Sequence, residues 1–285
     1  MDKIGVGIIT CNRLNFLESC INSLPDAVGN DIPLVIVNDG DIDVPKKIIS
    51  KKNVHIIKHS KNSGVGVSKN DALKQLMQLH VDHLFLLEDD IIILDKDIFN
   101  KYVDASKRTG IMHFNYGPGS PFNRKQDNDE TFDLHNRHLA KQNTEPHPRI
   151  IVDYGNDLKI ALYMHTVAMF SYFNRRAIDM AGYIDEEFFN AWEHVDHTYR
   201  IIKAGMHPPF WWFADLENSH HLLTEAPGAI DNSSIANKTD QWQKNVMTGR
   251  EIYYRKHGHY PNQPPYYGEA DAIQALKEIH KKYVK

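Results

Sequence analysis

The stretch that decides the fold is His83-Leu84-Phe85-Leu86-Leu87-Glu88-Asp89-Asp90, followed by a second apolar run from Ile91 to Leu94. A short run dominated by large apolar residues reads as a strand buried on both faces, as in the centre of a parallel sheet. Three carboxylates leave its carboxyl end and need a counter-charge. In an open α/β sheet, ligands collect beyond the carboxyl ends of the strands. Hard divalent cations take carboxylate and phosphate oxygens, and Mg²⁺ is typically held by one or two carboxylates plus substrate phosphates. The triplet therefore points to a metal and diphosphate site. The competing reading, acids that merely solvate a turn, is weighed against the flanking sequence.

Upstream, Ile4-Gly5-Val6-Gly7-Ile8-Ile9-Thr10 is a further two-sided apolar strand, and Leu14, Leu17, Ile21 and Leu24 recur at helical spacing until Pro25. Leu34 to Val37 and Val54 to Ile57 read as strands, and Ala72, Leu73, Leu76 and Met77 as the apolar stripe of a helix. Strands alternating with helices at this spacing predict a parallel sheet with right-handed crossovers. Downstream the organisation changes. After a strand at Ile111 to Asn115 comes a polar stretch, Tyr116 to Arg149, of a length that is usually functional or mobile. Ile150 to Val152 and Val167 to Phe173 read as strands, Arg175 to Ala181 as a helix closed by Gly182, and Glu193 to Lys203 as a helix closed by Gly205. A last helix is predicted over Glu269 to Tyr283.

The 285 residues suffice for one large α/β domain. A net charge of -4 gives no global reason to expect nucleic acid or an anionic membrane as partner, although 17 histidines add positive charge below neutral pH. Cys11 and Cys20 read as reduced, small hydrophobes in a cytoplasmic protein. Neither a signal-peptide pattern nor a transmembrane segment is evident.

Three loops leave the carboxyl ends of the first strands: Thr10-Cys11-Asn12-Arg13, Asn38-Asp39-Gly40 and Asn62-Ser63-Gly64-Val65-Gly66. In a doubly wound sheet they converge on one crevice. Asp39 can accept hydrogen bonds from a base or ribose, and Arg13 can offset phosphate charge. The glycine loop would bring backbone N–H groups and a helix N-terminus to the ligand, although most glycines of this kind only serve a helix-entry turn. A Walker lysine motif and a GxGxxG after the first strand are both missing, which argues against ordinary nucleotide hydrolases and dinucleotide enzymes.

The order of Ile8-Ile9-Thr10-Cys11-Asn12-Arg13, Val37-Asn38-Asp39-Gly40, Asn62-Ser63-Gly64-Val65-Gly66-Val67-Ser68-Lys69-Asn70 and Leu87-Glu88-Asp89-Asp90 resembles the GT-A glycosyltransferases, especially the large family 2 group. The likeness continues through Gly182-Tyr183-Ile184-Asp185-Glu186 and Trp192-Glu193-His194-Val195-Asp196 to Tyr254-Arg255-Lys256-His257-Gly258. It implies an α/β, Rossmann-like, mainly parallel sheet flanked by helices. Residues 1-240 would form a single catalytic domain, with a nucleotide-binding half to about 110 and an acceptor half beyond it; 241-285 would be a helical extension.

By that resemblance the protein moves a sugar from a nucleotide-sugar, a UDP-sugar being the leading donor, to a glycan or other hydroxyl acceptor with Mn²⁺ or Mg²⁺ as cofactor. Thr10, Arg13 and Asp39 would contact base and ribose; Asn12, Asn62 and Gly64 belong to the same loops; Lys69 and Asn70 would support the nucleotide. Glu88 and Asp89 would lie beside ribose and diphosphate. Asp90 matches the final carboxylate of the family's DXD motif and would be the main metal ligand, with His220 or His221 completing the site.

Inverting members commonly carry Glu-Asp where this chain has Glu193-His194, the aspartate being the general base. Imidazole can serve as a base near neutral pH, and Glu193 or Asp196 could serve after a small shift of the helix. A retaining enzyme would need no base there. The helix also has a bland reading, a solvated stripe with an Asp196-Arg200 pair. Trp192 is the candidate to stack on the acceptor. Transfer to a modified DNA base or protein, or a noncatalytic nucleotide- or carbohydrate-binding role, are the alternatives, so a nucleic-acid acceptor stays open. A nucleotidyltransferase is disfavoured because its glycine-rich basic loop is missing after the first strand.

Overall fold

A computed structural model describes residues 2–125, 145–229 and 239–284. The first half runs β1 (Ile4–Thr10), α1 (Leu14–Ser23), β2 (Leu34–Asn38), β3 (Val54–Lys58), α2 (Val65–Gln78), β4 (His83–Glu88), β5 (Ile91–Ile93), α3 (Ile98–Thr109) and β6 (His113–Asn115). The second half adds β7 (Ile150–Asp153), β8 (Lys159–Tyr163), β9 (Phe170–Asn174), α4 (Arg175–Ala181), α5 (Glu193–Lys203), β10 (Phe213–Leu216), β11 (Leu223–Glu225), α6 (Thr239–His257) and α7 (Glu269–Tyr283).

The main sheet has the order β3-β2-β1-β4-β9-β6. The first four strands pair in parallel, whereas β9 is antiparallel to both of its neighbours. The sheet is thus mainly parallel, with helices on both faces. Alternation along β1 shows how. Val6 and Ile8 join the core shared with Leu17 and Ile21 of α1 and Phe99 and Tyr102 of α3, while Ile9 joins Ala72, Leu73 and Leu76 of α2. Gly5 and Gly7 point to the α2 side, where a Cβ would come within 2.7 Å of Leu76 and 2.9 Å of Ala72. Their lack of side chains lets α2 lie directly on the sheet. Phe85 of β4 anchors the other face, with ring centroids 4.7 Å from Phe99 and 5.2 Å from Tyr172; truncating such a residue costs about 3–5 kcal/mol.

Two smaller sheets complete the second half. One has the order β10-β8-β7; the other pairs β5 with β11 in antiparallel. The expected strand at 167–173 begins three residues later, at Phe170. The polar stretch from Tyr116 to Arg149 lies partly outside the described residues. The C-terminal segment packs into the domain: Ala272, Leu276 and Ile279 of α7 are buried in the same core as β1 and α3. Among the described residues no helix is long and apolar enough to cross a membrane.

Candidate functional site

The carboxyl ends of β1, β2 and β4 meet, as parallel pairing in register requires. Thr10 Oγ1 donates to Asp89 Oδ2 at 2.7 Å, and Arg13, at the start of α1, donates through Nη2 to Asp89 Oδ1. Arg13 Nη1 also pairs with Asp90 Oδ2 at 2.9 Å. The other Asp90 oxygen, Oδ1, is buried with no hydrogen-bond partner among the described residues. A buried carboxylate oxygen left unsatisfied is costly, so this atom marks where a cation or donor fits.

Behind the triplet stands Lys69, on the buried face of α2 and 3% exposed. Its Nζ lies 3.3 Å from Glu88 Oε1, 3.2 Å from Glu193 Oε1 and 3.4 Å from the Ala168 carbonyl. Burial would discharge the amine, but the two carboxylates outweigh it and raise its pKa. Burial acts the other way on the acids. It pushes the Asp89 carboxyl up to about 7 in spite of Arg13, and it raises Glu88 in spite of Lys69. Three carboxylates thus face two cations, one of them shared with Glu193. The triplet is short of positive charge.

The glycine loop is arranged differently from the expectation. Asp39, at the end of β2, accepts from Ser63 N at 2.7 Å and Gly64 N at 2.9 Å, while Val65 N donates to the Phe189 carbonyl at 2.9 Å. The N–H groups expected to cradle a phosphate are already bonded, and Asp39 braces the loop rather than presenting free oxygens to a base. His59 completes this brace, its Nδ1 2.6 Å from Asp39 Oδ1 and its Nε2 2.9 Å from Asp71 Oδ2. The sequence reading missed His59. Its signal was available, because His59 follows β3 as Asp39 follows β2, and Asn38 and Lys58 are paired in register. Gly64 is needed for a steric reason: its φ is +93°, and a Cβ would meet the Phe189 carbonyl at 2.5 Å.

The two loop asparagines also act locally. Asn12, itself at positive φ, accepts from Asp41 N and Ile42 N through Oδ1. Asn62 Oδ1 accepts from Gly64 N. Asn70 also acts within the protein. Its side chain exchanges hydrogen bonds with both Ile184 N and Ile184 O and donates to Glu186, and at 1% exposure it clamps the chain before α5.

The position of the histidine pair follows from a strand register. In the β5-β11 ribbon Glu225 lies opposite Ile91 and Leu223 opposite Ile93, and Ala226 N donates to the Asp90 carbonyl. His220 and His221 therefore sit at the far end, where Leu222 O accepts from Leu94 N and Asp95 N. The antiparallel register thus runs from Ala226, opposite Asp90, away toward the two histidines. Among the described residues no group of three or more His, Cys, Asp and Glu side chains is placed to hold a metal by itself. A cation on Asp90 would have to complete its shell with ligand oxygens, as Mg²⁺ commonly does with phosphates.

At the start of α5, Glu193 is 4% exposed, and its Oε1 lies 3.2 Å from both Lys69 Nζ and His194 Nδ1. Although burial opposes its charge, Lys69 and His194 hold the Glu193 carboxyl well below the usual carboxylate range. Asp196 has no exposed surface. Its oxygens take Arg200 Nε at 3.0 Å, Lys256 Nζ at 2.8 Å and His257 Nε2 at 2.7 Å. Burial is again outweighed, by His257 and Lys256, and the carboxyl is lowered to about 2. The Asp196-Arg200 pair expected from spacing is present, but as part of a buried clamp on α6 rather than a solvated stripe. Trp192 adopts φ +71° at the N-cap, and its Nε1 donates to Val246 O of α6 at 3.1 Å. Gly249 gives it room, since a Cβ there would lie 2.9 Å from Trp192 Cδ1.

Comparison with known proteins agrees with this architecture. Residues 5–99, from β1 into α3, match the glycosyl transferase family 2 model. An uncharacterized glycosyltransferase of Acanthamoeba polyphaga mimivirus is 25% identical over 244 residues, spanning 82% of this chain and 85% of the relative. S. aureus TarS 1-349 in complex with UDP-GlcNAc superposes with a TM-score of 0.51 at 13% identity, over 99% of this chain and 81% of that one. The same protein in complex with UDP gives 0.50 at 15% identity, over 99% and 83%.

Proposed function

We propose that the chain, which has the fold of the glycosyltransferases it superposes on and matches the family 2 model over residues 5–99, is a family 2-like glycosyltransferase that transfers a sugar from a UDP-sugar to a hydroxyl acceptor, foremost a glycan. The observation that carries the reading is the Asp90 carboxylate, buried at the end of β4 with Oδ1 unsatisfied among the described residues. The oxygen chemistry fits Mn²⁺ or Mg²⁺, and Asp90 would hold that ion. When bound, it supplies positive charge to the departing nucleoside diphosphate. The TarS structures were solved with UDP and UDP-GlcNAc, and UDP-sugars are on that ground the first donors to test.

The chain's own residues supply the rest. Arg13 and Thr10 hold Asp89 in place, and Arg13 orients Asp90. Lys69 ties Glu88 to Glu193 and so fixes α5, the acceptor side, against β4, the donor side. Thermal shift with UDP, UDP-glucose, UDP-galactose and UDP-GlcNAc, each with Mn²⁺, Mg²⁺ or EDTA, tests the reading, because ligands of the native state raise its apparent stability. A UDP-sugar that stabilises only with metal, and UDP release from it, are expected. Metal-independent binding, or none to any of the four, would overturn it.

A further inference from the structure

Helical spacing along α7 sends Ala272 and Leu276 into the core shared with β1 and α3, and it sets Asp271, Gln274, Ala275, Glu278 and Lys282 along an adjoining stripe. That stripe lines a cleft of about 440 Å³, to which Ile202, Gly205 and Pro209, at the end of α5 and just beyond it, also contribute. The volume lies in the range of small-molecule sites. The surrounding chain is tied down. The Tyr267 carbonyl accepts from Trp212 Nε1 at 3.0 Å, and Gly268 N donates to Asp271 Oδ2 at 2.8 Å. Gln274 Nε2 donates to Glu278 Oε1 at 3.0 Å, which orients both side chains. His207 also borders the cleft, but its ring nitrogens are already engaged, Nδ1 with Pro208 O and Nε2 with Ala214 N.

The lining selects among ligand classes. Apolar surface of Ile202, Pro209, Ala275 and Ile279 adjoins the carboxylates of Asp271 and Glu278, the Gln274 amide and the Lys282 amine. An anion would meet two carboxylates. Among the described residues no group of three or more His, Cys, Asp and Glu side chains is placed to hold a metal. A wholly apolar ligand would strand the polar groups. A neutral ring with C–H groups on its face and hydroxyls at its edge satisfies both kinds of surface. Tyr267 suits such a ring, because it borders the cleft, keeps 37% exposure and offers an aromatic body with a polar tip.

We propose that this cleft is a second, non-catalytic saccharide site, which takes a neutral mono- or disaccharide unit with Tyr267 as platform and Gln274 and Glu278 as hydroxyl partners. The choice of a saccharide rests on the glycosyltransferase reading above and deepens it. The cleft lies at the opposite end of α5 from Glu193, about 15 Å along the helix. A glycan held there as well as on the acceptor side gains from effective concentration, without any new contact at the reacting end.

The test uses the full chain with Mn²⁺ and saturating UDP, and saturation-transfer NMR reads contact with maltose, cellobiose, lactose and diacetylchitobiose. Wild type should transfer magnetisation to at least one of them. Ala275→Trp, which fills the cleft, should abolish that transfer, and Tyr267→Ala should weaken the affinity by roughly fivefold or more. Gln274→Ala, at an exposed helix position, should weaken it as well. UDP affinity, measured by calorimetry, should be the same in all four proteins. No transfer from wild type to any of the disaccharides, or transfer that all three variants leave at wild-type strength, would overturn the second site while leaving the donor reading intact. Self-association that Ala275→Trp abolishes, without saccharide contact, would give the cleft to a second copy of the chain instead. Saccharide contact at the cleft in a protein that binds neither UDP nor a UDP-sugar would support the site and overturn the donor reading.

Discussion

The two buried acidic centres, Glu88-Asp89-Asp90 at the end of β4 and Glu193 with Asp196 at the start of α5, meet the same desolvation and respond in opposite directions. At β4 burial prevails and the Glu88 and Asp89 carboxyls rise; at α5 cations prevail and both carboxyls fall. The difference is one of supply. Asp196 alone has Arg200, Lys256 and His257 around it, whereas the triplet divides Arg13 with a share of Lys69. A centre whose charge is matched internally serves structure. One left short of positive charge, with an Asp90 oxygen unsatisfied among the described residues, is where the proposed cation would act.

Lys69 is the group the two centres share, so removing it tests the contrast most severely. Lys69→Met would leave Glu88 and Glu193 facing each other without a buried counter-charge, and breaking a buried pair from one side costs about 3–5 kcal/mol. Urea unfolding at neutral pH should show a loss of that size. A loss below about 1 kcal/mol would mean that the centres are not coupled through this amine.

Asp90→Asn should act on function and leave the fold standing. Turnover of the UDP-sugar should fall by roughly 100-fold, about 2.7 kcal/mol, and Mn²⁺ should no longer add to stabilisation by UDP. Normal turnover that still needs metal would show that another group holds the ion.

The pH dependence of stability should have opposite signs at the two centres. Asp196 is lowered from 3.8 to about 2, so its contribution, about 2 kcal/mol, is present above the unfolded value and lost as pH falls through about 2. Asp196→Asn should therefore cost most near neutrality and progressively less below about pH 4. Asp89 is raised from 3.8 to about 7. Its favourable contribution belongs to acid and is lost as pH rises through about 7, so Asp89→Asn should stabilise the metal-free protein more at pH 8 than at about pH 5. Unfolding curves of both variants with parallel slopes against pH would erase the contrast.

The sequence made the first centre legible because its strand is long, apolar and directly followed by the acids. Periodicity located β1 to β4 and α5 within a residue or two and named the apolar stripe of α2 without its bounds, and the helical spacing of Asp196 and Arg200 gave their pairing. It marked the apolar run of β5 without pairing it and was silent on β8, β10 and β11; these strands are three to five residues long and make sense only beside distant partners. The antiparallel direction of β9 was equally hidden, since an apolar run reads the same in either direction. The register of the β5-β11 ribbon runs from Ala226, opposite Asp90, toward His220 and His221, and no local pattern encodes a register between residues so far apart. Spacing likewise put Asp39 at a strand end but could not show that the loop following β3 would use up its oxygens.

The brace at Asp39 gives the smallest effect, and it sharpens the comparison by adding a third, intermediate case. His59 lies between Asp39 and Asp71; burial lowers its pKa, but the two carboxylates outweigh burial and raise it above the ordinary 6.5. Its contribution is complete below that value and is lost as pH rises through the folded pKa. Urea unfolding of wild type between about pH 6 and about pH 8 should show a decline in stability to which His59 contributes, and His59→Gln should flatten that decline while costing about 1 kcal/mol at the acid end. Because Asp39 holds Ser63 N and Gly64 N, the same variant should weaken UDP binding by only a small factor. A steeper decline in His59→Gln than in wild type would mean that the carboxylates, not the imidazole, set the charge of this loop.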